Sequence, residues 1–181
     1  MNKLIVFFDT ETNGSAVPHR IVEFGCILTQ GNRQKEIDFF VKQNDISLDI
    51  SQLTRVTRND IWKYGIPESK FAKFLADLLS KRPVMVAHNC QFDLSMIFDV
   101  LERHYGNYEA YHLVSNCQWL DTYTIVRDRK SYPHKLSDCL EHYHCDGQNN
   151  HHALDDARAL YNVFIAIMQE RNWKYYIMQK E

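Results

Sequence analysis

The chain has 181 residues, the size of one ordinary domain, and 45% of them are hydrophobic, which is ample for a core. Its formal net charge of -2 argues against a broadly basic nucleic-acid-binding protein, because such proteins contact phosphates through many Lys and Arg side chains. The five cysteines are scattered without a C-x-x-C pair, and this predicts a reducing, cytoplasmic location. The first apolar run is too short for a signal peptide or a membrane span, so we expect one globular domain over residues 1–181 with no membrane association.

The N-terminal part of the sequence predicts three antiparallel strands. Residues 4–8 form a short apolar run typical of a central strand buried on both faces, with Asp9 at its end. Residues 21–29 and 36–41 predict two more strands, joined by a polar turn that contains Gly31. Together these segments predict a three-stranded antiparallel meander.

The rest of the chain alternates between helical and strand-like segments. Residues 84–87 predict a short strand, and residues 119–126 fit either a strand or the start of a helix. Amphipathic helices are predicted over residues 66–83, 92–105, 135–143 and 155–171. Three strands followed by alternating units predict an α/β fold in which helices pack on a mixed sheet.

Two carboxylates interrupt the first strand-like segment, in "FFDTETNG". In an extended strand Asp9 and Glu11 point to the same side, so their repulsion must be relieved. A raised pKa, a cationic partner or a divalent cation would each do so, and hard oxygen donors suit Mg²⁺ or Mn²⁺. Alone, such a pair is more often simply solvated than bound to metal.

Two further stretches place polar residues at the ends of predicted elements. In "VAHNCQFDLSMI" a strand ends at His88 and Asn89, and a helix opens with Asp93 in its first turn. In "NNHHALDDARAL" His151 precedes Asp156, which begins the last helix. Acidic residues at three separated element ends, with a histidine close to one of them, are hard to explain by solvation.

These three segments resemble, in order, the three motifs of the DnaQ-like, or DEDDh, family of 3′→5′ exonucleases. The resemblance runs from residue 4 to about residue 168 and is closest to the proofreading exonuclease of bacterial replicative DNA polymerases. It implies the ribonuclease H-like exonuclease fold, a mixed five-stranded sheet with helices on both faces. It also implies metal-dependent release of nucleoside 5′-monophosphates from the 3′ end of single-stranded or frayed DNA. Because the family also contains ribonucleases, an exoribonuclease and a non-catalytic nucleic-acid-binding adaptor are the alternatives.

The resemblance also implies a role for each motif residue. The family's four carboxylates, which hold two divalent ions, Mg²⁺ or Mn²⁺, match Asp9, Glu11, Asp93 and Asp156. The general base of the family matches His151. Family positions that lie near the terminal nucleotide match Thr10, Asn89 and Phe92. At residue 55 this chain has Arg where the family commonly has glycine.

Some motif residues have a second interpretation. The third motif also contains His152 and Asp155, but the family's four-residue gap selects His151 with Asp156 and leaves the other two as polar surface at the start of a helix. Phe92 could equally belong to the core, and His88 could equally touch the substrate or be a hydrogen-bonded structural histidine.

The segment "CLEHYHC" holds two cysteines and two histidines, which are zinc ligands. Cys139 belongs to an apolar helix face, so packing is the favoured interpretation and a zinc-binding structural protein the alternative.

The resemblance also bears on partners. Few residues follow Asp156, so we expect no long polymerase-binding extension and instead a freestanding nuclease, a homodimer, or an association with a replication, repair or CRISPR-adaptation complex. The aromatic tail after residue 171 is predicted to pack on the domain, with self-association as the alternative.

Overall fold

A mixed five-stranded sheet organises the residues that the computed structural model describes, which are 3–14, 20–44, 51–52, 54, 56–148 and 150–170. The strands are β1 (Ile5–Thr12), β2 (Ile21–Gln30), β3 (Arg33–Phe40), β4 (Val84–Ala87) and β5 (Gln118–Asp121), in the spatial order β3-β2-β1-β4-β5. β1, β2 and β3 form the predicted antiparallel meander, whereas β4 pairs in parallel with both β1 and β5. The predicted mixed sheet is therefore confirmed.

The described helices are α1 (Arg58–Tyr64), α2 (Glu68–Leu79), α3 (Cys90–Tyr105), α4 (Asn107–Ser115), α5 (Thr122–Arg129), α6 (Leu136–His142) and α7 (Ala153–Gln169). Helices α1 and α4 were not predicted. Each buries little apolar surface, Ile61 in α1 and Ala110 with Leu113 in α4, so neither shows a clear apolar stripe. The ambiguous residues 119–126 contain the end of a strand and the start of a helix, because the Asp121 side chain accepts from the Tyr123 amide and begins α5. Within the described residues, no helix is long and apolar enough to cross a membrane.

Helices cover both faces of the sheet, as the sequence predicted. Neighbouring residues of β1 point to opposite faces, so Phe7 and Phe8 enter different cores. Phe8 packs with residues of α2 and α3 that include Phe71 and Ile97. Phe7 packs with α6 and α7, against residues such as Leu160.

The first strand is longer than predicted, and this difference positions the site. Strand β1 continues to Thr12 rather than ending at Phe8, because its pairing with β2 extends along residues 5–12. Asp9 and Glu11 therefore lie within the strand and share the face of Phe7, toward α7. Thr10 lies on the opposite face, toward α3.

A glycine brings α7 close to this part of the sheet. Gly25 lies opposite Asp9 in the β1–β2 register, and a Cβ built on it would be 2.1 Å from the backbone nitrogen of Leu154. Any larger residue would push the start of α7 away from the sheet. The close contact carries the third motif to the carboxylates of β1.

Candidate active site

A pocket of about 780 Å³ lies where β1 and β4 end and α3 and α7 begin. Its lining includes seven of the eight predicted site residues: Asp9, Thr10, Glu11, Asn89, Phe92, His151 and Asp156. The eighth, Asp93, is buried in the first turn of α3 and hydrogen bonds to Thr10. The fold therefore gathers three segments that lie far apart in the sequence.

Thr10 holds Asp93 in place from the other face of β1. Its Oγ1 donates to Asp93 Oδ1 over 2.6 Å, between two buried side chains. Burial raises the pKa of Asp93 to about 7, although the bond from Thr10 acts in the opposite direction. This hydrogen bond fixes the direction of a carboxylate on a helix relative to those on the strand.

The carboxylates on β1 are strongly perturbed by their surroundings. Burial, followed by the charges of Asp93, Glu11 and Asp156, raises the pKa of Asp9 well above its usual range. Burial and the charges of Asp156 and Asp93 raise the pKa of Glu11 to about 8. Such a group of carboxylates binds protons near neutral pH or exchanges them for cations.

Side chains of residue types that bind divalent cations come together in the pocket. Glu11, His151 and Asp156 each offer a ligand atom, and these atoms lie within 4.8 Å of one another. Carboxylate oxygens are the donors that Mg²⁺ and Mn²⁺ prefer, and Asp9 lies beside this set on the same strand face. The residues of the pocket therefore fit hard divalent cations.

The loop before α7 is shaped to present His151. This residue has a left-handed backbone conformation with φ of 60°, which is uncommon for a side chain with a Cβ. The loop is closed by the Asn150 amide, which donates to Asp156 Oδ1 over 3.1 Å. His151 and Asp156 therefore reach the pocket together.

A second polar cluster supports the start of α7, and sequence reasoning missed most of it. Glu23 is fully buried opposite Glu11 in the β1–β2 register, and His152 Nδ1 lies 2.8 Å from its Oε1. Asp38, on β3, completes the cluster. Burial, with a smaller contribution from Asp38, raises the pKa of Glu23 to about 9. The available signal was a charged residue inside the apolar stretch "RIVEFG".

The structure shows the surroundings of three residues that had a second interpretation, His152, Asp155 and Phe92. His152, interpreted above as polar surface, lies with Nδ1 2.8 Å from the carboxyl of the fully buried Glu23, so that interpretation was incomplete. Asp155 lies at the surface, 2.7 Å from the Arg158 guanidinium, as that interpretation requires. Phe92 is 40% exposed in the pocket lining rather than buried in the core.

His88 lines the pocket with both ring nitrogens engaged. Nδ1 lies 3.0 Å from Thr122 Oγ1, and Nε2 lies 2.8 Å from the carbonyl oxygen of His134. Because a carbonyl oxygen only accepts, Nε2 carries a hydrogen. These bonds give His88 the structural role that the sequence left open, at the edge of the site.

The structure tests the interpretation of Cys139 but not that of the aromatic tail. Cys139 is buried in the core with Leu136 and Leu140, which accords with packing. Arg55 lies outside the described residues, and so does the aromatic tail from residue 171 onward.

Comparisons with known proteins place this geometry in a family. The RNase_T exonuclease family model matches residues 6–164. The PolC-type DNA polymerase III of Caldanaerobacter subterraneus subsp. tengcongensis is 29% identical over an alignment of 172 residues, which covers 91% of this chain and 12% of the polymerase.

Solved exonuclease structures share the fold. Exonuclease I in its apo form superposes with a TM-score of 0.84 at 15% identity, over 100% of this chain and 46% of that one. E. coli Exonuclease I in complex with a dA16 oligonucleotide gives a TM-score of 0.80 at 17% identity, over 97% of this chain and 42% of that one. The chain thus spans less than half of each of these relatives. At such identities the likeness concerns the fold, and it confirms the ribonuclease H-like exonuclease architecture.

The family model covers both β1, which carries the paired carboxylates, and the start of α7, which carries His151 and Asp156. The chain is therefore a DnaQ-like protein and belongs to the RNase_T exonuclease family.

Proposed function

We propose that this protein is a metal-dependent 3′→5′ exonuclease that removes nucleoside 5′-monophosphates from the 3′ end of single-stranded or frayed DNA. The observation that carries the proposal is the convergence of Asp9, Glu11, Asp93 and Asp156 around one pocket, with the pKa values of Asp9, Glu11 and Asp93 raised. Deprotonated together, these groups would attract cations and then, through them, a phosphodiester.

The four carboxylates would hold two divalent ions, Mg²⁺ or Mn²⁺. When bound, such ions supply activation of a water molecule and neutralise the charge that develops on the phosphate. The polypeptide contributes the fixed positions of the ligands. Thr10 orients Asp93 through its 2.6 Å bond, and the rigid pairing of β1 with β2 fixes Asp9 and Glu11.

His151 is proposed as the general base. Its ring nitrogen is close to the carboxylates of Glu11 and Asp156, so an imidazolium formed by taking a proton from water would be stabilised by negative charge. Its backbone is left-handed, and its side chain lines the pocket. The proton would then be carried by the imidazole of His151, which is partly buried, rather than by one of the buried carboxylates.

The 3′-terminal nucleotide would lie between β1 and the start of α3. Phe92 offers an exposed ring for a base, and stacking on an aromatic ring is tolerant of base identity. Asn89 and Thr10 line the same pocket. A DNA substrate is supported by the similarity to a polymerase and by the solved complex of Exonuclease I with dA16.

The test follows 5′-labelled single-stranded DNA, duplex DNA and RNA on a denaturing gel, with Mg²⁺, Mn²⁺ or EDTA. The proposal predicts a ladder that shortens from the 3′ end in either metal and no cleavage in EDTA. Asp156→Asn should abolish the ladder, whereas Asp155→Asn, the adjacent surface aspartate, should retain it. Intact strands under every metal condition would refute the activity and move the proposal to a non-catalytic adaptor, and cleavage confined to RNA would refute the choice of DNA.

A further inference from the structure

Four aromatic and imidazole rings run from the pocket to the protein surface. His88 contacts Tyr123 at 5.5 Å between ring centroids, Tyr123 contacts His134 at 5.8 Å, and His134 contacts Tyr132 at 5.8 Å. We refer to His88, Tyr123, His134 and Tyr132 as the ring ladder. Its first two members line the pocket, and its last member, Tyr132, is 81% exposed.

The ring ladder is held in place by hydrogen bonds to the backbone. His88 Nε2 lies 2.8 Å from the carbonyl oxygen of His134, and His134 Nε2 lies 2.9 Å from that of Lys130. Consecutive rings meet nearly at right angles, with interplanar angles of 81°, 82° and 81°. Tyr132 therefore packs against a ring, that of His134, which is itself held by a hydrogen bond, while most of the surface of Tyr132 is exposed to solvent.

Cationic side chains flank the ring ladder. The Arg127 guanidinium lies 5.8 Å from the centre of the Tyr123 ring. Lys135, at the start of α6, lines the same pocket as the acidic residues of β1. Lys130 belongs to the loop that carries Tyr132, where its Nζ donates to the carbonyl oxygens of Ser131 and Pro133. One cation, Lys135, therefore lines the pocket with the first two rings, and two more, Arg127 and Lys130, lie along the ring ladder.

Rings interleaved with cations are the features that bind single-stranded nucleic acids. Bases stack on aromatic faces whatever their identity, and Lys or Arg side chains contact the phosphates between them. A paired base in a duplex is already stacked and has no free face to offer. The ring ladder therefore suits an unpaired strand.

We propose that the ring ladder binds the single strand upstream of the scissile phosphate, with a base stacked on Tyr132 and phosphates near Arg127 and Lys135. The inference rests on the proposed exonuclease function and adds a second binding region, distinct from the terminal-nucleotide side at Asn89 and Phe92. Substrates too short to reach Tyr132 gain nothing from it.

Binding without cleavage tests this region directly. Fluorescence anisotropy in EDTA would measure the affinity for a 5′-labelled single strand, with DNA and RNA in separate titrations, and for a labelled dinucleotide. Tyr132→Ala should weaken binding of the long strand by about fivefold or more, the loss expected for one stacked base, and Tyr132→Phe should restore it. The dinucleotide should bind equally to all variants.

Tyr108 provides a matched control. It is also 81% exposed but lies beyond the end of α3, a helix of 16 residues that begins at the pocket and is about 24 Å long. Tyr108→Ala should bind long strands as the wild type does. Equal affinities of Tyr132→Ala and wild type for long DNA and long RNA would overturn the inference. A loss confined to one nucleic acid would identify that strand as the occupant.

Turnover separates this inference from the proposed function. The p-nitrophenyl ester of thymidine 5′-monophosphate needs the carboxylates but cannot reach Tyr132. If the wild type hydrolyses it, Tyr132→Ala should lower the ratio of oligonucleotide to ester turnover, and an unchanged ratio would overturn the inference alone. If the wild type hydrolyses neither substrate with any metal, the proposed function fails, and the anisotropy titrations still decide whether the ring ladder binds single strands.

Discussion

Replacing Glu11 with Gln should stabilise the metal-free protein at alkaline pH. Burial and the charges of Asp156 and Asp93 raise the pKa of Glu11 from 4.5 to about 8, so the folded state binds its proton more tightly than the unfolded state. The stability that this proton confers is fully present below about pH 4.5 and is lost as pH rises through about 8. At 1.36 kcal/mol for each tenfold change in proton affinity, the full difference is about 5 kcal/mol. Because water reaches part of this side chain, we expect ~2 kcal/mol.

Urea denaturation in EDTA measures the effect. The wild type should lose free energy of unfolding as pH rises from about 4.5 to about 8, and Glu11→Gln should lose less over the same range. Mg²⁺ should restore the wild type at alkaline pH, because binding to the folded state adds stability. It should restore Glu11→Gln less, since one ligand is missing.

Glu36→Gln is a control in which the change in stability at alkaline pH should have the opposite sign. The Arg158 guanidinium, which hydrogen bonds to Glu36, holds the pKa of that carboxyl below its usual range. Its contribution is present above the ordinary pKa and is lost as pH falls, so Glu36→Gln should be the less stable protein at alkaline pH, by under about 1 kcal/mol. Identical pH slopes for wild type and Glu11→Gln would refute the reasoning about the acidic pocket.

Three further predictions concern single positions. His151→Ala should lower kcat by about 10²-fold or more in a gel-based assay, while calorimetry should show that the variant still binds Mn²⁺. A variant with the kcat of the wild type would refute the role of His151 as general base. Thr10→Val should lower kcat/KM on single-stranded DNA by about tenfold because Asp93 loses its hydrogen bond, whereas Thr10→Ser should keep most of the wild-type kcat/KM. Equal kcat/KM values for the two variants would contradict the orienting role of Thr10. Gly25→Ala should lower the free energy of unfolding, measured with urea, by about 3 kcal/mol, because its Cβ would meet the α7 backbone. Gly14→Ala, with open space around it, should lower it little, and equal losses in the two variants would argue against the close contact.

The acidic motifs were readable from the sequence because their geometry is local. The alternation of a strand puts Asp9 and Glu11 on one side, and a helix start puts Asp93 and Asp156 at element ends. Their convergence was implied by the resemblance to a family rather than by spacing. Sequence patterns do not specify how α3 and α7 approach the sheet.

The cluster around Glu23 shows what needs three dimensions. A glutamate inside an apolar strand is visible in the sequence, but its partners are set by register, which places it opposite Glu11, and by the approach of His152 from α7. The ring ladder is equally non-local. Its members His88 and Tyr123 are far apart in the chain, and their rings meet because β4 and β5, which they follow, end side by side.

Helices α1 and α4 escaped prediction for a local reason. Helix α1 depends on a capping box in which Thr57 and Asp60 bond reciprocally, and it buries one side chain. Helix α4 displays Tyr108 and Tyr111 to solvent, which blurs its apolar stripe. Periodicity detects helices that are held by a core face, and these two are held mainly by their ends and neighbours.

The most direct test of the exonuclease assignment follows a single-stranded DNA labelled on its 3′-terminal nucleotide, incubated with Mn²⁺ and either wild-type protein or Asp9→Ala. We predict that the label leaves as a nucleoside 5′-monophosphate in the earliest time points, with wild type alone, and that EDTA stops the reaction. Label that stays on longer fragments, or equal release by Asp9→Ala, would contradict 3′→5′ hydrolysis at this carboxylate site.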